Sequence, residues 1–166
     1  FDRILDSLEA ATAPIWQYTY LGTGRATDAL TVDQVGEVVS KLAAKDGGLS
    51  AAVEVLGMAV HLASEHGPNY SAALAAICGR FLAQADYSKL EANGDHEAYH
   101  IEELVRFFLN LGNDASAERR VLTQFLRREK SKGRVYALRR GRFLKPFFEL
   151  RPRMALDAIY KPDRDG

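Results

Sequence analysis

His96-Glu97-Ala98-Tyr99-His100 is the sharpest chemical motif in this chain of 166 residues. On a helix, histidines four apart share one face, where two imidazoles can hold Zn²⁺ while Glu97 serves as general base for hydrolysis. Such a centre needs a third ligand, and Glu118 is the nearest carboxylate at a suitable downstream distance. The flanks argue for a plainer reading. Asn93-Gly94-Asp95 precede the motif and Glu102-Glu103 follow it, so it opens a helix beside a loop. No strand pattern is present to hold an extended substrate. On that reading His96 and Glu97 are solvated first-turn residues and His100 is a boundary residue.

The second chemical feature is basic. Arg119, Arg120, Arg127, Arg128, Lys130, Lys132, Arg134, Arg139, Arg140 and Arg142 crowd two successive helices and their link, with Phe125, Tyr136 and Phe143 interleaved. Such a surface can follow a phosphate backbone without reading bases. The internal alternative is that this segment docks on acidic residues elsewhere in the chain. A third feature, the Glu54, His61, Glu65 stripe on an otherwise apolar helix, has acid–base residue types but reads first as the seam where that helix meets water. Gly22-Thr23-Gly24-Arg25 lacks the phosphate-loop pattern. Cys78, the sole cysteine, sits in an apolar run and reads as a small buried hydrophobe.

The net charge of zero hides a sorting of charge along the chain. Residues 1–118 carry 17 acidic and 7 basic residues, a balance of −10, and residues 119–153 carry 13 basic and 2 acidic, a balance of +11. Folding does not require charges to be sorted along a chain, so the asymmetry points to a partner. No apolar run approaches the ~18 residues of a membrane span. No charged-then-apolar leader is present, and a single cysteine suits a reducing compartment, so a cytoplasmic location is expected.

The elements that must position these residues are helical. Phe1, Ile4, Leu5 and Leu8 follow helical spacing, and Gly22 to Leu30 reads as a loop. Thr31 is an N-cap candidate with Gln34 at the capping-box position, ahead of Val35, Val38, Val39 and Leu42. Ser50 to Glu65 and Ser71 to Gln84 are apolar on nearly every side, as in helices surrounded by protein. Gly57 and Gly79 inside them suggest close helix–helix approach. Ile101, Leu104, Val105, Phe108 and Leu109 make a clean apolar face, and Asp114 can cap the helix after it. Gly133 and Gly141 read as punctuation, Phe143, Leu144, Phe147 and Phe148 as an apolar patch, and Pro152 as the start of a last short helix. Helix starts near Val32, Ser71 and Asp114, each followed by one further helix, fall at the roughly 40-residue spacing of two-helix repeats.

Several stretches carry a resemblance. They are Leu30-Thr31-Val32-Asp33-Gln34-Val35; Asp46-Gly47-Gly48-Leu49-Ser50-Ala51-Ala52-Val53-Glu54-Val55-Leu56-Gly57-Met58; Gln84-Ala85-Asp86-Tyr87; Ala98-Tyr99-His100-Ile101-Glu102-Glu103-Leu104; and Leu144-Lys145-Pro146-Phe147-Phe148-Glu149-Leu150-Arg151-Pro152-Arg153-Met154-Ala155-Leu156-Asp157. Across residues 30–160 the chain resembles the HEAT-like helical tails of large bacterial proteins, which often follow a nucleotide-binding or effector module, some of them in phage defence. The resemblance implies an α-solenoid and no catalytic residue in the tail. Those tails carry a basic residue after the methionine, where this chain has Ala59-Val60.

The expectation is therefore an all-α, HEAT-like α-solenoid of about eight helices in antiparallel pairs. Residues 1–30 would close a preceding repeat, residues 31–162 would form the repeat domain, and residues 163–166 a cut tail. The expected function is a non-enzymatic scaffold or recognition segment of a larger bacterial protein, with no cofactor. Its partners would be a protein or other parts of the parent chain, or nucleic acid, met through Arg119, Arg120, Arg127, Arg128, Lys130, Arg139, Arg140 and Arg142. The alternative is a zinc metallohydrolase with Glu97 catalytic and His96, His100 and Glu118 as ligands.

Overall fold

The structure, a computed structural model, describes residues 30–89, 95–127 and 133–160. The expected first helix, the Gly22–Leu30 loop short of its last residue, the Asn93-Gly94 turn and the 163–166 tail lie outside them. Among the described residues there are seven α-helices and no strand, so the chain is all-α.

Helix α1 (Val32–Ala44) begins as its sequence dictates. The Thr31 hydroxyl accepts from the Gln34 amide at 3.3 Å, and the Gln34 side chain accepts from the Thr31 amide at 2.9 Å. Two N–H groups that the first turn would orphan are thereby satisfied. Val35, Val38, Val39 and Leu42 are buried on one stripe. Gly47, at φ +72°, turns the chain into α2 (Gly48–Leu62). That helix buries Leu49, Ala52, Val53, Val55, Leu56 and Ala59, residues on most of its circumference. After a 3₁₀ turn (Ala63–His66), Pro68 occupies the first position of α3 (Pro68–Gln84), where a missing N–H costs nothing. A second 3₁₀ turn (Tyr87–Lys89) precedes α4 (Asp95–Leu111), whose predicted face of Ile101, Leu104, Val105, Phe108 and Leu109 is buried.

Asp114 caps α5 (Ala115–Leu126) by accepting from the amides of Ser116 at 2.9 Å and Ala117 at 3.1 Å. Helix α6 (Gly133–Leu150) corrects the sequence reading. Gly133 is its first residue, Gly141 lies inside it, and Pro146 is accommodated within it. Gly141 has open space around it, so its cost is the ~1 kcal/mol of backbone freedom alone. Packing outweighs that cost and the hydrogen bond lost at Pro146. Phe143 and Phe147 are fully buried, and Phe143 meets Phe125 at 5.5 Å and Tyr87 at 6.0 Å between ring centres. Tyr87 is itself fully buried, with its hydroxyl donating to the Leu82 carbonyl at 2.8 Å. Phe148 lies outside this cluster and is exposed. Helix α7 (Pro152–Tyr160) closes the described chain.

Contacts run in a regular order. Helices α1, α3, α5 and α7 each touch the next of that series, and α2, α4 and α6 do the same. Within the sequence pairs α1–α2, α3–α4 and α5–α6 the two helices also touch. Gly57 and Gly79 explain how closely the helices approach. A Cβ on Gly57 would stand 2.7 Å from the His100 ring, and one on Gly79 would stand 2.5 Å from the Phe108 ring. Helix α4 thus lays one aromatic ring on each of the two apolar helices before it. Among the described residues no helix is long and apolar enough to cross a membrane.

Candidate basic groove and histidine pair

The basic segment divides in two. Its C-terminal part turns inward. Arg142 donates through Nε to Glu102 at 2.7 Å, and Lys145 stands 3.8 Å from the same carboxylate. Arg106, on α4, adds a bond to Glu102 at 3.0 Å and another to Glu149 at 2.6 Å. Burial alone would raise the pKa of Glu102. The hydrogen bonds from Arg142 and Arg106 and the charge of Lys145 outweigh burial and hold the carboxyl below its ordinary value. Arg151 donates through Nε and Nη2 to both oxygens of the buried Glu118, each at 2.8 Å, and through Nη2 to the Leu109 carbonyl at 2.7 Å. Arg142, expected on a binding face, is therefore engaged within the chain. Charges sorted along the sequence are in part paired in space.

The N-terminal part of the segment faces outward. Arg119, Arg120 and Arg127 line a groove of about 990 Å³ between α3 and α5, joined there by Arg80 of α3. Arg120 donates to the Ser116 hydroxyl at 3.0 Å on its own helix. Arg80 and Arg119 have no ion-pair partner among the described residues. The floor is small and apolar: Ala72, Ala76, Gly79 and Ala83 of α3 lie beside Phe108. Asp114 is the one acidic residue among the described residues of the lining, and its carboxylate is turned onto the amides it caps. Sequence reasoning missed Arg80. Its signal was present, as a lone charge in a helix otherwise made of small and apolar residues. Arg128 and Lys130, and the side chain of Arg139, lie outside the described residues. Arg140 is half-buried on α6 and does not line the groove.

The histidine motif is brought together. His96 and His100 stand with their Nε2 atoms 3.3 Å apart and their rings edge to face at 4.4 Å. His100 is half-buried against α2 and His96 is exposed. Burial and the neighbouring His96 lower the pKa of His100, against the carboxylates of Glu54, Glu103 and Glu97, which raise it. The rest of the expected metallohydrolase does not assemble around the pair. Glu97 is buried and accepts from the Ser50 hydroxyl at 2.7 Å, which ties α4 to α2. Glu118 is held by Arg151. Among the described residues no three His, Cys, Asp or Glu side chains are grouped to hold a metal. Of the Glu54, His61, Glu65 stripe, only Glu54 reaches this seam, and His61 and Glu65 are exposed. Comparison of the chain with protein-family models, with curated proteins and with solved structures found no match.

Proposed function

We propose that the chain is a non-enzymatic recognition segment of a larger bacterial protein, and that the α3/α5 groove receives an acidic protein segment. One observation carries this reading. Arg142, Lys145 and Arg151 are taken up by Glu102, Glu149 and Glu118, whereas Arg80 and Arg119 meet no carboxylate among the described residues and share a groove with Arg120 and Arg127. A wall of arginines attracts carboxylates, and the alanine and glycine floor between them leaves room for apolar side chains. A nucleic acid fits this site less well, because the one aromatic ring among the described lining residues, Phe108, is 2% exposed and offers no stacking face.

The architecture belongs to the same proposal. Odd helices touching odd and even touching even, with sequence neighbours paired, is the order expected of stacked antiparallel pairs in a HEAT-like solenoid. Leu156, Ile159 and Tyr160 of α7 are exposed, as on a helix that meets a further pair in such a stack. The hydrolase alternative has less support, since Glu97 and Glu118 are both committed to other partners.

The test is fluorescence anisotropy with two labelled probes, an amphipathic peptide bearing glutamates beside a leucine stripe and a single-stranded oligonucleotide. Measurements at about 50 mM and about 200 mM salt separate screened contacts from apolar ones. The peptide binds, and Arg80→Glu/Arg120→Glu weakens it at least tenfold. A preference for the oligonucleotide, no binding of either probe at low salt, or indifference to the double substitution overturns the proposal.

A further inference from the structure

The histidine pair is left unused by the groove. We propose that His96 and His100 form a two-imidazole site for a divalent transition ion such as Zn²⁺, Co²⁺ or Ni²⁺, which clips the first turns of α4. Geometry carries the assignment. Zinc–nitrogen bonds of about 2.0–2.1 Å at a tetrahedral angle place two ligand nitrogens about 3.3–3.4 Å apart. The two Nε2 atoms stand at 3.3 Å. Imidazole nitrogen suits zinc, copper, nickel and iron ions.

The ring of His100 is aimed, not merely near. Its Nδ1 lies 2.7 Å from the position a Cβ on Gly57 would take, so the Nδ1 edge is packed against α2 at that glycine. Nε2 is thereby left to point at His96. Packing of this edge limits the rotation of the ring, so that Nε2 stays on the side of His96. Glu54, Glu103 and Glu97 all act on His100 and make the site electronegative, which favours a cation. His96 is exposed, so water completes the coordination. Because Glu97 is turned to Ser50, this is a structural clip without a general base. Both ligands lie on α4 beside the Ser50–Glu97 contact, so the ion would fasten the stretch that joins α4 to α2.

The experiment uses the full chain without a histidine tag, stripped with EDTA. Co²⁺ and Zn²⁺ are titrated by visible absorption and calorimetry, and thermal unfolding is followed with and without metal. The expected result is one ion per chain, a Co²⁺ ligand-field band, and a melting temperature raised by several degrees at saturating metal. His96→Ala, at an exposed position, weakens binding at least tenfold and abolishes the thermal shift while leaving the circular dichroism unchanged. His100→Ala does the same to binding. His61→Ala and His66→Ala leave affinity unaltered. Failure to bind at millimolar metal, binding that survives His96→Ala, or loss of binding in the His61 or His66 variant overturns the proposal.

Discussion

Arg151→Met is the substitution with the largest calculable consequence. Arg151 reaches from the α6–α7 junction to three places. It holds both oxygens of Glu118 on α5, the last-turn carbonyl of Leu109 on α4 and, at 3.0 Å, the Leu150 carbonyl. The Glu118 side chain is 4% exposed and that of Arg151 is 33% exposed. Methionine keeps much of the stem's packing and removes every donor. Glu118 is then a buried carboxylate without a counter-ion, a situation that costs about 3–5 kcal/mol when water cannot enter. Here water can enter along the path of the arginine, so the expected loss is about 2–4 kcal/mol. In a chain of this size each kcal/mol is worth about 2–4 °C, so the melting temperature falls by roughly 10 °C.

The reasoning is tested by a double-mutant cycle in urea, at constant m-value. Replacing both partners, Glu118→Leu with Arg151→Met, removes the buried charge together with its counter-ion. The double variant therefore recovers to within about 1 kcal/mol of the parent. Raising the salt to about 0.5 M leaves the Arg151→Met penalty largely intact, because a buried pair is poorly screened. The exposed Glu37–Lys41 pair, at 3.9 Å, provides the contrast, and its removal costs no more than ~0.5 kcal/mol. A single variant that loses under about 0.5 kcal/mol would refute the argument. So would a double variant as unstable as the two single losses added together.

Three further outcomes follow from other parts of the fold. Gly79→Ala destabilises by about 1–3 kcal/mol, because its methyl would enter the Phe108 ring, whereas Gly141→Ala, in open space, stabilises by about 0.5–1 kcal/mol; thermal melts giving the same sign for both would contradict the packing account. Glu102 has a folded pKa below its unfolded value, so its contribution is complete above the ordinary carboxylate range and is lost as pH falls through the lower folded value. In urea midpoints measured from neutral pH into that acid range, Glu102→Gln flattens the acid decline. Burial pushes the Cys78 thiol up to about 12, so a thiol reagent at neutral pH labels the chain at the rate of unfolding, and rapid labelling of the native protein would contradict the buried placement.

Local rules were legible in the sequence and long-range pairings were not. The Thr31–Gln34 capping box and the Asp114 cap could be read because each is settled within three residues by backbone geometry. The α4 face could be read because its period is helical whatever it packs against. Gly57 and Gly79 signalled close approach, yet nothing local says that the bodies laid on them are the rings of His100 and Phe108. Gly133 and Gly141 misled for the converse reason. A breaker signal of about 1 kcal/mol is local, while the burial of Phe143 and Phe147 that overrides it depends on Tyr87 and Phe125, far away in the chain.

The candidate sites divide along the same line. The sorting of charge was plain in the sequence, and it raised two accounts, an external partner or internal docking. Internal docking holds for Arg142 and Arg151; the external account is the one proposed above for the groove arginines, and side-chain environment separates the two sets. Glu102 and Glu118 are nearly buried, and a buried carboxylate demands a counter-ion. They take Arg142 and Arg151 from 40 and 33 residues away. Arg119 and Arg120 sit on the outer face of α5, where the facing helix offers alanine, glycine and a further arginine in place of acid. The balance of +11 therefore overstates the charge open at the groove, and it leaves out Arg80, which lies outside residues 119–153. What the groove presents is set by which carboxylates the core has already claimed.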